Sequence, residues 1–295
     1  MRIFEIILLS TSTIFLFLMA TRSYGLTKRI PLLFFSSVLL AHFLLEGYRW
    51  QMVPTYLIIV ILSWCLFKEY QFFKGNWFKK SMYAVSLIII LPIAWGLPYA
   101  LPAFNLPKPT GKYKAGSQYL YLKTNQDEII TPKTADKRAL MIKVWYPASL
   151  NNEKTEPYLN DGDRAGFAKK YRLPASVFNY LDYVKTHTFI NPSIAKGKFP
   201  VLIFSHGYYS NASGYYALIE EIVSHGYIVM NINHTYESTG ALFPNGEIKL
   251  YSTAYDKEHN NKEMAEMTWN AIQNYKKATN SNEQYTAIEN LIRNY

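Results

Sequence analysis

Cysteine is all but absent: the 295 residues contain one, Cys65. A lone cysteine cannot pair within its own chain, which excludes an internal disulfide, a CxxC redox pair and a thiolate metal cage. Histidine is scarce at six residues, and no two stand in an HxxxH or HExxH spacing. The sequence therefore offers no metal site and implies no cofactor. Runs of Lys and Arg interleaved with aromatics are also missing, so the net charge of +10 does not read as a nucleic-acid surface. Much of that charge sits near the amino terminus, where residues 1–100 hold nine Lys or Arg against Glu5, Glu46 and Glu69.

What the first hundred residues have is apolar length. Four stretches, at about 3–20, 30–45, 53–67 and 82–97, are separated by short loops. Flanking Tyr, Trp and Leu residues extend each toward the roughly 20 residues that a bilayer core requires. Residues 1–100 are thus predicted to form a four-helix transmembrane region, with the lipid bilayer as a partner. Arg22, Lys28 and Arg29 mark the first loop as positive, four lysines between Lys68 and Lys80 mark the third, and Glu46 and Arg49 cancel in the second. Positive loops stay cytoplasmic, which places the amino terminus and everything after Leu97 on the extracytoplasmic side of a multi-pass cell-membrane protein. Arg2, at the outer end of the first span, runs against this orientation. Pro92, Pro98, Pro102, Pro107 and Pro109 then predict a helix stop and an extended stalk over 101–110.

Residues 111–295 read as a separate domain. Gln118–Lys123 and Ala139–Tyr146 read as paired strands, the second ended by Pro147. Asn151–Arg172 is polar and reads as mobile, whereas Pro174–Thr186 carries Val177, Tyr180, Leu181 and Val184 at helical spacing. Phe199–Tyr209 is apolar on both faces, as expected of an interior strand in a mostly parallel sheet. Gly207 follows it, allowing the chain to turn where a side chain would clash and leaving the Tyr208 amide pointing into open space. Ser210–Ser213 offers caps to a helix running to Ser224, which His225-Gly226 closes, and Tyr227–Asn233 reads as a second buried strand. Glu237–Tyr255 reads as a long loop, and Lys257–Asn280 and Asn282–Tyr295 as helices.

Pro200–Gly207, the helix after it and Tyr227–His234 resemble the start of the α/β-hydrolase core in the plasma-type platelet-activating factor acetylhydrolase family of serine esterases. Val144-Trp145-Tyr146-Pro147-Ala148 and Lys185-Thr186-His187 fit the same family upstream, so the resemblance spans about 108–240. It implies an α/β fold, here an incomplete α/β-hydrolase core. It also implies cleavage of ester or phospholipid-like substrates through an acyl-enzyme. By the same resemblance Tyr208 supplies an oxyanion-hole amide, Gly207 permits the approach, His206 buttresses the turn, and His234 ends a strand beside the site. The 174–186 segment either helps hold an acyl group, as in the family, or is an ordinary packed surface helix.

Such an enzyme needs a Gly-x-Ser-x-Gly elbow, and no serine here has glycine at both flanking positions. Ser205 precedes His206-Gly207 and Ser213 precedes Gly214, each with a single neighbouring glycine. The triad acid and histidine follow the serine in this fold, so none of the triad is expected among these residues. The expectation is an inactive amino-terminal fragment of a membrane-anchored lipid acyl esterase. The alternatives are a non-catalytic membrane protein that keeps half a hydrolase domain for binding, or an acyltransferase of the same fold.

Overall fold

The computed structural model describes residues 1–21, 29–68, 76–131, 136–259 and 262–293. The chain divides into two compact units, Met1–Leu106 with Asn179–Lys185, and Pro107–Phe178 with Thr186–Tyr295.

The first unit holds four apolar helices, α1 (Ile3–Thr21), α2 (Arg29–Leu45), α3 (Val53–Lys68) and α4 (Trp77–Ala100). Two of them, Trp50–Lys68 (counting a 3-10 turn before α3) and Trp77–Ala100, are long and apolar enough to cross a membrane, while Ile3–Met19 and Ile30–Leu45 are shorter. Leu8, Leu9, Phe35, Ile59, Leu62 and Ala94 pack between them. Pro92 and Pro98 lie inside α4, which runs on to Ala100 instead of stopping at either. Leu101 N still bonds to Leu97 O, which completes the last turn. Arg22, Lys28, Glu69 and Lys74, on which the orientation argument partly rests, lie outside the described residues. Arg2 does not stand as a free charge, since it pairs with Glu5 at 2.8 Å and approaches Glu46 at 3.8 Å.

The second unit is built on a mixed sheet. Its long hairpin is β1 (Lys114–Asp127) against β2 (Lys137–Ser149), antiparallel with Leu120 opposite Ile142. β2 runs through Pro147, which keeps its pairing with Ala115 because proline forfeits only a donor and its carbonyl still accepts from Ala195 N. Next come β3 (Thr155–Pro157), α5 (Asp161–Tyr171), β4 (Lys185–Ile190), β5 (Ser193–Ile194), β6 (Val201–Ser205), α6 (Tyr216–Ser224) and β7 (Ile228–Asn233). The strand order is β3-β4-β1-β2-β7-β6, with β5 on β2. β4 pairs parallel with β1 and β6 with β7, while β2 pairs antiparallel with β1, β5 and β7. The sheet is therefore mixed where a mostly parallel one was expected.

β6 is also not interior. It ends the sheet, paired with β7 alone among the described residues, and leaves Ile203 76% exposed. On the other side of the sheet, α6 buries Tyr216, Ile219 and Val223. Trp145 is fully buried there, its ring edge-on to Tyr216 at 6.1 Å. Burying a side chain of this size stabilises the fold by roughly 2–3 kcal/mol.

Asn151–Arg172, read as mobile, instead forms β3 and α5. Asn160 caps the helix by accepting from Asp163 N, and Arg172 ends it in the left-handed region at φ 54°. Small residues let α5 sit close to its neighbour: a Cβ on Gly162 would fall 2.7 Å from Leu242 N, and one on Gly166 2.7 Å from the Thr239 carbonyl. The 174–186 segment is a 3-10 helix over Ala175–Tyr183. The expected long loop after β7 contains the hairpin β8 (Gly240–Leu242) with β9 (Ile248–Leu250), then α7 (Thr253–His259). Helices α8 (Lys262–Lys277) and α9 (Ser281–Arg293) follow.

Candidate active site

The parallel pair β6–β7 brings Ser205 and His234 together, because Ser205 aligns with Ile232 and the side chain two residues further along β7 returns to the same face. His234 Nε2 lies 2.8 Å from Ser205 Oγ. Burial holds His234 below the ordinary histidine value, and the neighbouring His206, with ring centroids 5.4 Å apart, pushes in the same direction. The imidazole is thus neutral near pH 7 and can accept the serine proton.

His206 is 6% exposed, with Nδ1 3.0 Å from Gly207 O and Nε2 3.2 Å from Asn233 Oδ1, either of which can accept its ring N–H. Asn233 in turn donates to Gly240 O at 3.0 Å. This chain of bonds fixes the turn after β6 to the segment after β7.

In that turn Ser210 N donates to Gly207 O and Tyr209 N donates to Glu237 O, both at 3.0 Å. The amide of Tyr208 has no acceptor among the described residues. The clash expected at Gly207 is absent: its φ is not positive, and an added Cβ would meet nothing nearer than Tyr215 Oη at 3.9 Å. The left-handed residue is Tyr209, at φ 56°. Such a conformation costs a non-glycine residue on the order of 1–3 kcal/mol. Tyr209 is held in it by stacking on Tyr251 at 3.8 Å and by Lys170, whose Nζ donates to Tyr209 O at 2.8 Å.

The four sequence-derived residues therefore gather at one turn, Gly207 and Tyr208 in it, His206 beneath it and His234 beside it. Ser205 was set aside in the sequence for want of a second glycine, and Asn233 was read only as the end of a strand. The available signal was their place at the carboxyl ends of two neighbouring strands. Among the described residues no three His, Cys, Asp or Glu side chains are placed to hold a metal ion.

Ser210–Ser213 does not cap α6, whose first turn has no side-chain cap. Asn211 and Ser213 are drawn to a buried polar group on the α6 side of the sheet. There Lys143 Nζ meets Glu156 Oε2 at 2.9 Å, Tyr216 Oη at 2.7 Å and Ser213 Oγ at 3.4 Å. Asn211 Nδ2 donates to Asp163 Oδ1 at 2.9 Å. Burial raises Asp163 to about 6, against the pull of Lys143.

Residues 100–290 match the family described as platelet-activating factor acetylhydrolase, isoform II. The chain belongs to this family. The platelet-activating factor acetylhydrolase match covers the whole sheet and the turn after β6, so the expected resemblance over 108–240 extends further in both directions. Among solved structures, a ferulic acid esterase from Streptomyces cinnamoneus is similar at 24% identity and a TM-score of 0.45, over 58% of this chain and 47% of that one. The chain thus spans about half of that esterase's length. No curated protein matches the chain.

Proposed function

We propose that the protein carries the oxyanion half of a membrane-anchored carboxylic-ester hydrolase site for lipid acyl esters, with Tyr208 N as its donor. The Tyr208 amide in the turn after β6, with no acceptor among the described residues, carries the reading. As a nucleophile adds to an ester carbonyl, charge develops on its oxygen, and a donor already held in place lowers that barrier by about 3–4 kcal/mol. His206 and the bonds of Tyr209 and Ser210 supply the fixity. Family membership supports ester hydrolysis as the reaction and phospholipid-like esters as the substrate class.

Two apolar helices of spanning length support a bilayer anchor, with α1 and α2 completing a multi-pass region.

No Gly-x-Ser-x-Gly elbow is present in these 295 residues, so this reading assigns no nucleophile among them. The purified chain in nanodiscs is expected to resist a fluorophosphonate probe and to leave short-chain phospholipid esters intact.

The Ser205–His234 bond favours a second reading, in which Ser205 Oγ attacks the ester carbon and its proton passes to His234 Nε2. His234 then returns that proton to the departing alkoxide, and water hydrolyses the acyl-serine. Labelling of the chain that disappears in Ser205→Ala would establish this reading and overturn the first.

A further inference from the structure

β1, β4, β6 and β7 all run in one direction, so the starts of β1 and β4 lie at the end of the sheet opposite the turn after β6. There the segment leading into β1, the first residue of β3 and the start of β4 enclose a pocket of about 300 Å³ within the second unit. Small-molecule sites typically measure about 300–1,000 Å³. Lys108, Lys114, Thr155 and His187 line it, and Pro109 and Phe189 contribute apolar wall. No Asp or Glu lines it.

The donors on this wall are open to solvent and uncommitted. Lys108 and Lys114 are exposed, and neither side chain makes an ion pair or a hydrogen bond among the described residues. The exposed Thr155 hydroxyl makes none either. The carboxylates close behind are engaged. Glu220 is fully buried, its Oε1 accepts from His187 N at 2.7 Å and from Thr188 Oγ1 at 2.8 Å, and burial raises its pKa. Glu221 accepts from Thr110 N at 2.8 Å and meets His225 Nε2 at 3.0 Å. Two ammonium groups therefore line the pocket with no negative charge on its wall. A neutral ligand would leave both unmatched, and a carboxylate brings one charge against two. A phosphate monoester brings nearly two charges and three acceptor oxygens, enough for both lysines and the hydroxyl.

We infer that this pocket binds a small organic phosphate monoester, its oxygens accepting from Lys108, Lys114 and Thr155 and its apolar body lying against Pro109 and Phe189. The site is independent of the esterase reading, because the turn lies at the other end of β6.

The test is calorimetric titration of the full chain in nanodiscs at about pH 8 and fixed low salt, where the lysines are protonated and the phosphate is a dianion. Empty nanodiscs of the same lipid serve as the blank. The ligands are phenyl phosphate, the monoanion benzoate and the neutral phenol. Phenyl phosphate is expected to bind saturably, with the other two at least about tenfold weaker, because a charge-assisted hydrogen bond is lost in each. Lys108→Met and Lys114→Met are each expected to weaken phenyl phosphate at least about tenfold for the same reason. Lys108 lies outside every helix and strand, so its variant decides the matter should Lys114→Met fail to fold. Lys262→Met removes the same charge from the start of α8, away from the pocket wall, and is expected to leave binding unchanged. Equal binding of phenyl phosphate and benzoate, undiminished binding to Lys108→Met, an equal loss in Lys262→Met, or no saturable binding would each overturn the inference.

Discussion

The Ser205 hydroxyl and His234 Nε2, 2.8 Å apart, join the carboxyl ends of two parallel strands on one face of the sheet. Because burial and His206 together depress the His234 pKa, the folded protein takes up a proton there less readily than the unfolded chain does. Stability from this site is therefore present above the unfolded value of 6.5 and is lost as the pH falls toward the lower folded value. Thermal unfolding measured on either side of that value should show an acid-side loss, reduced in His234→Gln. An equal loss in both proteins would show that His234 is not held neutral.

Gly207→Ala is expected to fold normally, with a stability change within about 1 kcal/mol, because the position has room for a Cβ and no positive φ. A loss of several kcal/mol on thermal denaturation would restore the steric role that the sequence suggested. Tyr209 carries the unusual backbone instead, so Tyr209→Ala, which keeps the strain and loses the stack on Tyr251, should cost more than Gly207→Ala.

How far the sequence could be read follows from where each signal lay. The pattern from Val201 to Asn233 is local, and it yielded β6, α6 and β7, while the four residues at the turn came from the family resemblance. The apolar stretches likewise located all four helices of the first unit. Partners of β6 were not legible, since an apolar run looks the same at the end of a sheet as within it. α5 was missed because, beyond its local Asn160 cap, it depends on Gly162 and Gly166 closing on Leu242 and Thr239, residues far along the chain. The Ser210–Ser213 capping signal misled because Asn211 and Ser213 had stronger partners in the polar group around Lys143 and Asp163. Ser205 and His234 are 29 residues apart, and only strand pairing shows that they meet.

The Lys143–Glu156 pair makes a further prediction. Lys143 is fully buried and Glu156 is 8% exposed, so removing one partner strands the other's charge in the interior. Lys143→Met should destabilise the chain by roughly 3–5 kcal/mol, and adding Glu156→Gln should recover much of that loss. Thermal unfolding of the two variants checks it. A cost below about 1 kcal/mol for the single change would mean that water reaches the pair.

Asp163 predicts the opposite sign. Burial raises it from 3.8 to about 6 in the fold, so its contribution to stability is fully present below the unfolded value and is lost as the pH rises through about 6. The groups acting on Asp163 are Lys143, Ser213 and Asn211, which favour its ionised form, and Glu156, which opposes it. With its charge removed, Asp163→Asn should be more stable than the parent above about pH 7, by up to about 3 kcal/mol for a shift of roughly two units. That advantage should vanish near pH 4. If Asp163→Asn is instead less stable at every pH, the carboxylate serves the fold through its bond from Asn211 and its attraction to Lys143.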